Sequence, residues 1–388
     1  MKKEQKSLDA CVCENGSQIR KESLNYTFFD LEEEAPVDLA VPLMGYAAPV
    51  VVFLTLVLNA VVVVILTRRR LRSPTNAILV SIAVCDTFTA LFSLPGYMYT
   101  YTYEGYRNYP SMGWCYVLIY VCRFIPQVLH TVSVWMTALL AFQRYLGVTK
   151  VVLRAWISSY KGVVLSIVVL SILSFIAHCF KLDVVPKRVI LVCEGCDSDV
   201  TVSNTCFLHI DNETYITRID TLLRLILAQL MPCFLLLAFN ICIIRSTYKS
   251  HRYMQRLVVG HRPSEYMHTR KTIRISFMLL LITCCTWIFE MFVTLNLVMD
   301  FTQNVVSPDT LRGLVLICNF TTLLSFPLNF FIYFMFNCNF RGVLLSCVKT
   351  RLRREIALTK VTAGCNGCTY TYDVSLLHLQ KKRSVSDA

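Results

Sequence analysis

The sequence predicts an all-α membrane protein, a bundle of seven transmembrane helices, and three observations carry that prediction. Hydrophobic residues make up 55% of the 388 and charged residues only 16%, with a mean hydropathy of +0.54, whereas soluble domains are charged at roughly a quarter of their positions. The apolar residues are gathered into seven runs, each near the ~20 that a helix needs to cross a hydrocarbon core about 30 Å thick. Lys and Arg crowd into alternate connecting segments, as the positive-inside rule requires. Other classes fall away. The 23 Phe and 19 Tyr with so little charge exclude disorder, and the length excludes a disulfide-built mini-protein despite 18 Cys. The net charge of +13 sits beside the spans, so it gives no case for nucleic acid.

Taken in order, the first run is Ala47–Thr67, closed by Arg68-Arg69-Arg70-Leu71-Arg72. The second, Asn76–Gly96, is interrupted only by Asp86, and the third, Cys115–Phe142, carries Arg123. Gly162–Phe180 is uncharged; Thr221–Ile244 carries Arg224 and Pro232; Ile275–Met299 carries Glu290; Gly313–Phe336 completes the set. The runs are continuous rather than alternating, which excludes a transmembrane barrel. The polar opening, Met1 to Ser7, leads into no apolar segment before residue 36, so span one is expected to start insertion itself.

One set of connecting segments (68–75, 143–161, 245–274 and 337–388) holds 25 Lys and Arg against 4 Asp and Glu, and the other holds 11 against 19. The first set is therefore expected to be cytoplasmic, with the amino terminus outside and the carboxyl terminus inside. Four segments follow: 1–45, an extracellular amino-terminal stretch expected to be disordered; 46–336, the seven-span domain; 337–350, a short amphipathic eighth helix on the inner leaflet; and 351–388, a cytoplasmic tail expected to be disordered. Cys11, Cys13, Cys115, Cys193, Cys196 and Cys206 fall on the oxidising side, an even number. So do the sequons at Asn25 and Asn212, which become glycosylation candidates.

Seven helices serve a receptor or a transporter. A transporter is expected to show internal repeats and broken helices, and no repeat relates the two halves. A receptor is favoured before any motif is used. The motifs sharpen that reading: Asn59 in span one, Ile82-Ala83-Val84-Cys85-Asp86 in span two, Gln143-Arg144-Tyr145 at the end of span three, Asn329-Phe330-Phe331-Ile332-Tyr333 in span seven, and Phe340-Arg341 opening the inner helix. Five such features in the right order resemble the rhodopsin-like (class A) G-protein-coupled receptors. His130 to Thr137, the tyrosine-rich stretch between Pro95 and Pro110, Trp114-Cys115 and Leu230-Met231-Pro232-Cys233 resemble one branch, the sex-peptide/myoinhibitory-peptide receptors among the invertebrate FMRFamide-like neuropeptide receptors. The resemblance covers roughly residues 45–350.

It implies a multi-pass plasma-membrane receptor that binds an extracellular neuropeptide, FMRFamide-like or myoinhibitory-like and amidated. Its partners would be a heterotrimeric G protein, with the inhibitory class favoured, arrestin-type regulators and membrane lipid. Asn59, Asp86, Gln143, Arg144, Tyr145, Trp287, Asn329 and Tyr333 would carry activation and coupling. The resemblance also implies that Cys115 pairs with the second outer loop, with Cys206 preferred and Cys193 as runner-up. Three departures stand out: neutral Gln143 where the family has an acid, no proline after Trp287, and Asn240 where span five commonly offers Tyr.

Intramembrane charges face a cavity or a partner. Arg123 lies about 12 Å below Cys115 by helix rise, and with Arg224 and Glu290 it forms a candidate ligand-reading set in the outer halves of three spans; internal Arg–Glu pairing is the competing reading. Tyr97 and Tyr101 are candidate aromatic walls, or members of an interfacial belt, and His130 is a candidate contact or a core histidine. Cys347 is a palmitoylation candidate beside Arg341, Lys349 and Arg351. The Cys365–Cys368 pair has no second pair at zinc spacing, so no metal is expected. No nucleophile–base set appears, so neither enzymatic activity nor a cofactor is expected. The rivals are a small-molecule chemosensory receptor on the same fold and, from another class, a transporter.

Overall fold

The computed structural model describes residues 31, 35–107, 110–149, 159–179, 185–192, 201–209, 222–259, 308–336, 340–347 and 349, and six positions between 277 and 288. Six apolar stretches become helices α1 (Val37–Leu66), α2 (Pro74–Thr102), α3 (Met112–Leu146), α4 (Tyr160–Ile176), α5 (Arg224–Ser246, continuing to Val259) and α7 (Pro308–Phe336). Between the last two, positions 277, 280, 281, 284, 285 and 288 are helical and define α6. Their three- and four-residue spacing places them on one face. Between α4 and α5, strands β1 (Val185–Val192) and β2 (Thr201–His209) form an antiparallel hairpin in which Arg188 lies opposite Cys206. Sequence reading expects no strand there. A second compact unit begins at Arg341 and is helical through 347.

Helix starts follow their caps. The Ser73 side chain accepts from the Asn76 amide, with Pro74 in the first turn of α2, and Ser159 accepts from Gly162 at the start of α4. The α1 helix begins at Val37, ten residues before its apolar run, because Ala40 and Met44 are buried against α2 and α7. Four helices widen into π turns, over Val41–Ala47, Met98–Thr102, Val117–Phe124 and Arg224–Leu230. Each lies within three residues of a proline or contains one: Pro42, Pro95, Pro126 and Pro232. Proline offers no amide proton and crowds the carbonyl four residues back. A ladder shifted by one residue accommodates that crowding.

Small residues let the helices approach. A Cβ on Gly45 would lie 3.2 Å from that of Tyr101, and Thr102 donates to the Gly45 carbonyl at 2.7 Å, joining α1 to α2. Helix α3 is central: Thr131 hydrogen-bonds at 2.9 Å to His178, just past the end of α4, and Trp135 Nε1 donates to the Leu227 carbonyl of α5 at 3.2 Å. The inner halves of α3 and α5 bury Val134, Ala138, Ala141, Leu236 and Ile243 together, with Leu280 of α6 packed against them. The opposite face of α4 exposes Val164, Leu165, Val168, Ile172 and Leu173. In a bundle of this hydropathy that face belongs to lipid.

Candidate functional site

A cavity of about 550 Å³ opens among α1, α2, α3 and α7 at the end of the bundle where α3 begins. Arg123, Gln127 and His130 come from α3; Thr89, Ser93, Tyr97, Thr100 and Tyr101 from α2. Helix α7 supplies Arg312, Asn319, Thr322 and Phe326. The spacings 123, 127, 130 and 312, 319, 322, 326 each trace one helix face, so two polar stripes meet across the space. His130 sits 6.2 Å from the Phe326 ring, centroid to centroid. Beside the cavity, Tyr99 and Trp114 stack at 4.0 Å, and Leu31 is buried against Cys115 and Leu118 of α3. Ala35 also lines the rim, so residues preceding α1 touch the mouth.

Of the ligand candidates named from sequence, the structure brings Arg123, His130, Tyr97 and Tyr101 together around this cavity. Arg224 stands in the widened first turn of α5 and does not line it. Glu290 lies outside the described residues, as do Trp287, Asn25, Asn212 and Cys193. Sequence reading missed Arg312, Gln127 and Asn319. Gln127 could have been found as the residue one turn below Arg123. Arg312 sits at the edge of span seven, where its charge counts toward the loop. Two guanidinium groups line one open-mouthed space, and the described residues lining it include no carboxylate. Such a site favours a group rich in oxygen acceptors, held by the planar donor forks of arginine.

Below the cavity the polar stripe continues inward. Asp86 is 4% exposed; Ser133 of α3 donates to its Oδ1 at 2.6 Å, and Asn329 of α7 donates to its Oδ2 at 3.3 Å. Asp86 therefore ties three helices at one level, about one turn below Thr89. Fully buried Asn59 makes no side-chain hydrogen bond among the described residues. Tyr333 is buried lower on α7, 6.0 Å from the Phe340 ring.

Arg144 lies about 31 Å inward of Arg123 along α3 by helix rise. Its neighbour Gln143 is 5% exposed and accepts a hydrogen bond from Thr75 Oγ1 of α2 at 2.9 Å. The buried Nε of Arg144 has no hydrogen-bond partner, and Arg144 makes no hydrogen bond or ion pair with any described residue. Tyr145 stacks on Phe239 of α5 at 6.1 Å. At the other end Cys115 is disulfide-bonded, and the first turns of α3 pack against both β1 and β2. Cys347 is a half-buried free thiol in the second unit.

The model of one receptor family, described as serpentine type 7TM GPCR chemoreceptor Srw, matches residues 46–351. The chain is 26% identical over 375 residues to a Drosophila melanogaster protein named sex peptide receptor, covering 93% of this chain and 86% of that one. It is 27% identical over 317 residues to the FMRFamide receptor of the same organism, covering 76% and 52%. Squid rhodopsin superposes with a TM-score of 0.57 at 14% identity, over 82% of this chain and 87% of that one. That likeness speaks to the seven-helix fold.

Proposed function

The chain belongs to the serpentine seven-transmembrane G-protein-coupled receptors, and from that premise we propose that its ligand is an extracellular neuropeptide received in the cavity between α1, α2, α3 and α7. It is a multi-pass plasma-membrane receptor and not an enzyme. The observation that carries the peptide reading is the pairing of Arg123 and Arg312 in one cavity walled by Tyr97, Tyr101 and Phe326. Carbonyl or carboxyl oxygens at a peptide end suit the two guanidiniums, and aromatic side chains suit the walls. Relatives named for the sex peptide and for FMRFamide support the same class.

In this reading Asp86, Ser133 and Asn329 relay ligand occupancy inward as a shift between two helix arrangements, and Arg144 and Tyr145 meet the G protein, of the inhibitory class. Asn59 and Tyr333 belong to the same relay, with Trp287 and the neutral Gln143. Arrestin-type regulators share the inner face. The 25-to-4 charge bias supports an outer amino terminus. Packing of α3 on the hairpin supports Cys206 as the partner of Cys115. Palmitoylation of Cys347 and glycosylation of Asn25 and Asn212 complete the proposal, and Glu290 remains the candidate acid for an Arg-bearing peptide.

A second reading, a small-molecule chemoreceptor, takes its support from the description of the matched family. One screen decides between them: cells expressing the full chain with a promiscuous G-protein α subunit, challenged with a panel of amidated neuropeptides and, in parallel, small odorant-type organics. A peptide response at nanomolar concentration that Arg312→Ala shifts supports the first reading. Activation only by the organics overturns it.

A further inference from the structure

We infer that the deep half of the cavity is a neutral subsite for the leading end of the ligand, where the hydroxyls of Thr89 and Thr322 read a terminal carboxamide and discriminate against a carboxylate. The inference rests on the peptide reading of this cavity and deepens it by assigning the residues that set specificity.

A hydroxyl inside a helix commonly donates to a carbonyl three or four residues back. Helices α2 and α7 show the pattern in Thr87 to Ala83, Ser93 to Thr89, Thr321 to Cys318 and Ser325 to Thr322. Thr89 and Thr322 break it. Thr89 is only 8% exposed, both residues line the cavity, and their buried hydroxyl oxygens make no hydrogen bond with any described residue. A buried hydroxyl without a partner is destabilising, and a guest that supplies the partner removes the penalty. Two such groups, from facing helices, line one space.

Depth sorts the cavity by charge. Ser133 and Asn329 both bond to Asp86, which sets a common level on three helices. By helix rise Thr89 stands about 4.5 Å outward of that level and Thr322 about 10 Å. Arg123 stands about 15 Å outward of it and Arg312 about 25 Å. Below the guanidiniums the described lining offers hydroxyl, amide and imidazole groups, and beneath those lies Asp86. An ammonium would have to pass two charges of its own sign, and a carboxylate would come to rest above Asp86, of its own sign. A carboxamide is neutral; it both donates and accepts, and a hydroxyl answers in either role. The arginines above it then hold carbonyl oxygens of the residues that follow the end inward.

The experiment uses cells expressing the full chain with a promiscuous G-protein α subunit. The probes are the most potent amidated peptide of the screening panel and its twin ending in a free carboxylate. The parent should prefer the amide by about 30-fold or more, the scale for a charge left unmatched in a buried site. Thr89→Val and Thr322→Val should each weaken the amide about fivefold, the scale of one neutral hydrogen bond, and leave the acid within about twofold. Thr89→Ser and Thr322→Ser, which keep the hydroxyl, should hold the preference within about twofold of the parent. Neither valine should lower the unfolding temperature of the unliganded, solubilised receptor, because no internal bond is lost.

A parent without preference for the amide overturns the inference. Valine variants that weaken both probes alike overturn it too, since a structural role would leave the ratio unchanged. If both valines lower the unliganded unfolding temperature or fail to reach the surface while the serines do not, the hydroxyls serve internal bonds and the inference falls. A changed ratio at one threonine alone removes the other from the subsite. If no panel peptide activates the receptor, the peptide reading falls and the inference with it. If peptides activate it and the ratio is the same in parent and variants, only the inference falls.

Discussion

The outer and inner halves of the same helices are built by different rules. Toward the start of α3 four helices carry widened turns next to Pro42, Pro95, Pro126 and Pro232, and between three of those helices and α7 lies the cavity. Toward the inner end α3 and α5 are regular, and Val134, Ala138, Ala141, Leu236 and Ile243 fill the space between them. A widened turn rotates the side chains that follow it and moves the helix wall outward, which makes room without deleting core residues. A close-packed inner half cannot deform continuously and so passes between discrete arrangements. In the proposed reading the loose half receives the ligand and the tight one transmits, with Asp86 at the junction.

The largest effect expected is a clean separation of the two halves at Arg144. Arg144→Ala should abolish G-protein activation while surface expression and peptide affinity stay within about twofold, since about 31 Å of helix separates it from Arg123. Radioligand binding beside nucleotide exchange checks it; equal loss of both would mean that the halves are not separable.

Next comes the cavity itself. Arg123→Ala and Arg312→Ala should each weaken activation about 30-fold or more, the scale for losing one partner of a buried charged contact. Arg224→Ala, half-buried in α5 but off the cavity, should shift the dose-response curve less than about threefold. A shift at Arg224 as large as at Arg312 would move the reading half toward α5.

The order of the helices was legible because a bilayer leaves so few solutions for the backbone, whereas α1, α2, α3 and α7 extend past their apolar runs. Other features were hidden for local reasons. Asp38 and the prolines at 36 and 42 masked the first turns of α1, which fold because Ala40 and Met44 pack on neighbours. The strands of the hairpin read Val185-Pro186-Lys187-Arg188 and Thr201-Val202-Ser203-Asn204, with neither clean alternation nor a tight-turn signal. Within the cavity, Arg123 and His130 announced themselves as polar residues deep in an apolar run, and Gln127 shares their face. Arg312 did not, because a charge at a span's edge is ordinary.

A third prediction tests what ties the outer half together. Cys115→Ser should cut surface expression severalfold and destabilise the receptor by about 2–5 kcal/mol, the range for losing a native disulfide. Cys206→Ser should match it, and the double variant should add nothing further. Thermal unfolding of detergent-solubilised receptor measures all three, and additive losses would assign the two cysteines to separate bridges.

The smallest effect lies at the floor of the looseness itself, where the outer half is locally as tight as the inner one. A Cβ on Gly96 would stand 2.9 Å from Cys122 Cβ and 3.3 Å from its sulfur, so the bare backbone of α2 at Gly96 lies against the Cys122 side chain of α3. Both residues line the cavity, which means that the space above depends on a close contact beside it. Gly96→Ala should therefore cost about 1–3 kcal/mol from overpacking; the gain from removing a helical glycine, about 1 kcal/mol, offsets part of it. The clash is with a Cβ rather than a flexible tip, so Cys122→Ala should not relieve it, whereas Cys122→Gly should. The measurement is the unfolding temperature of the solubilised receptor for both single variants and both doubles. Recovery with glycine but not alanine places the strain at the helix–helix contact. Equal recovery with both would place it at the sulfur, and the walls of the cavity would then be softer than the helix spacing indicates.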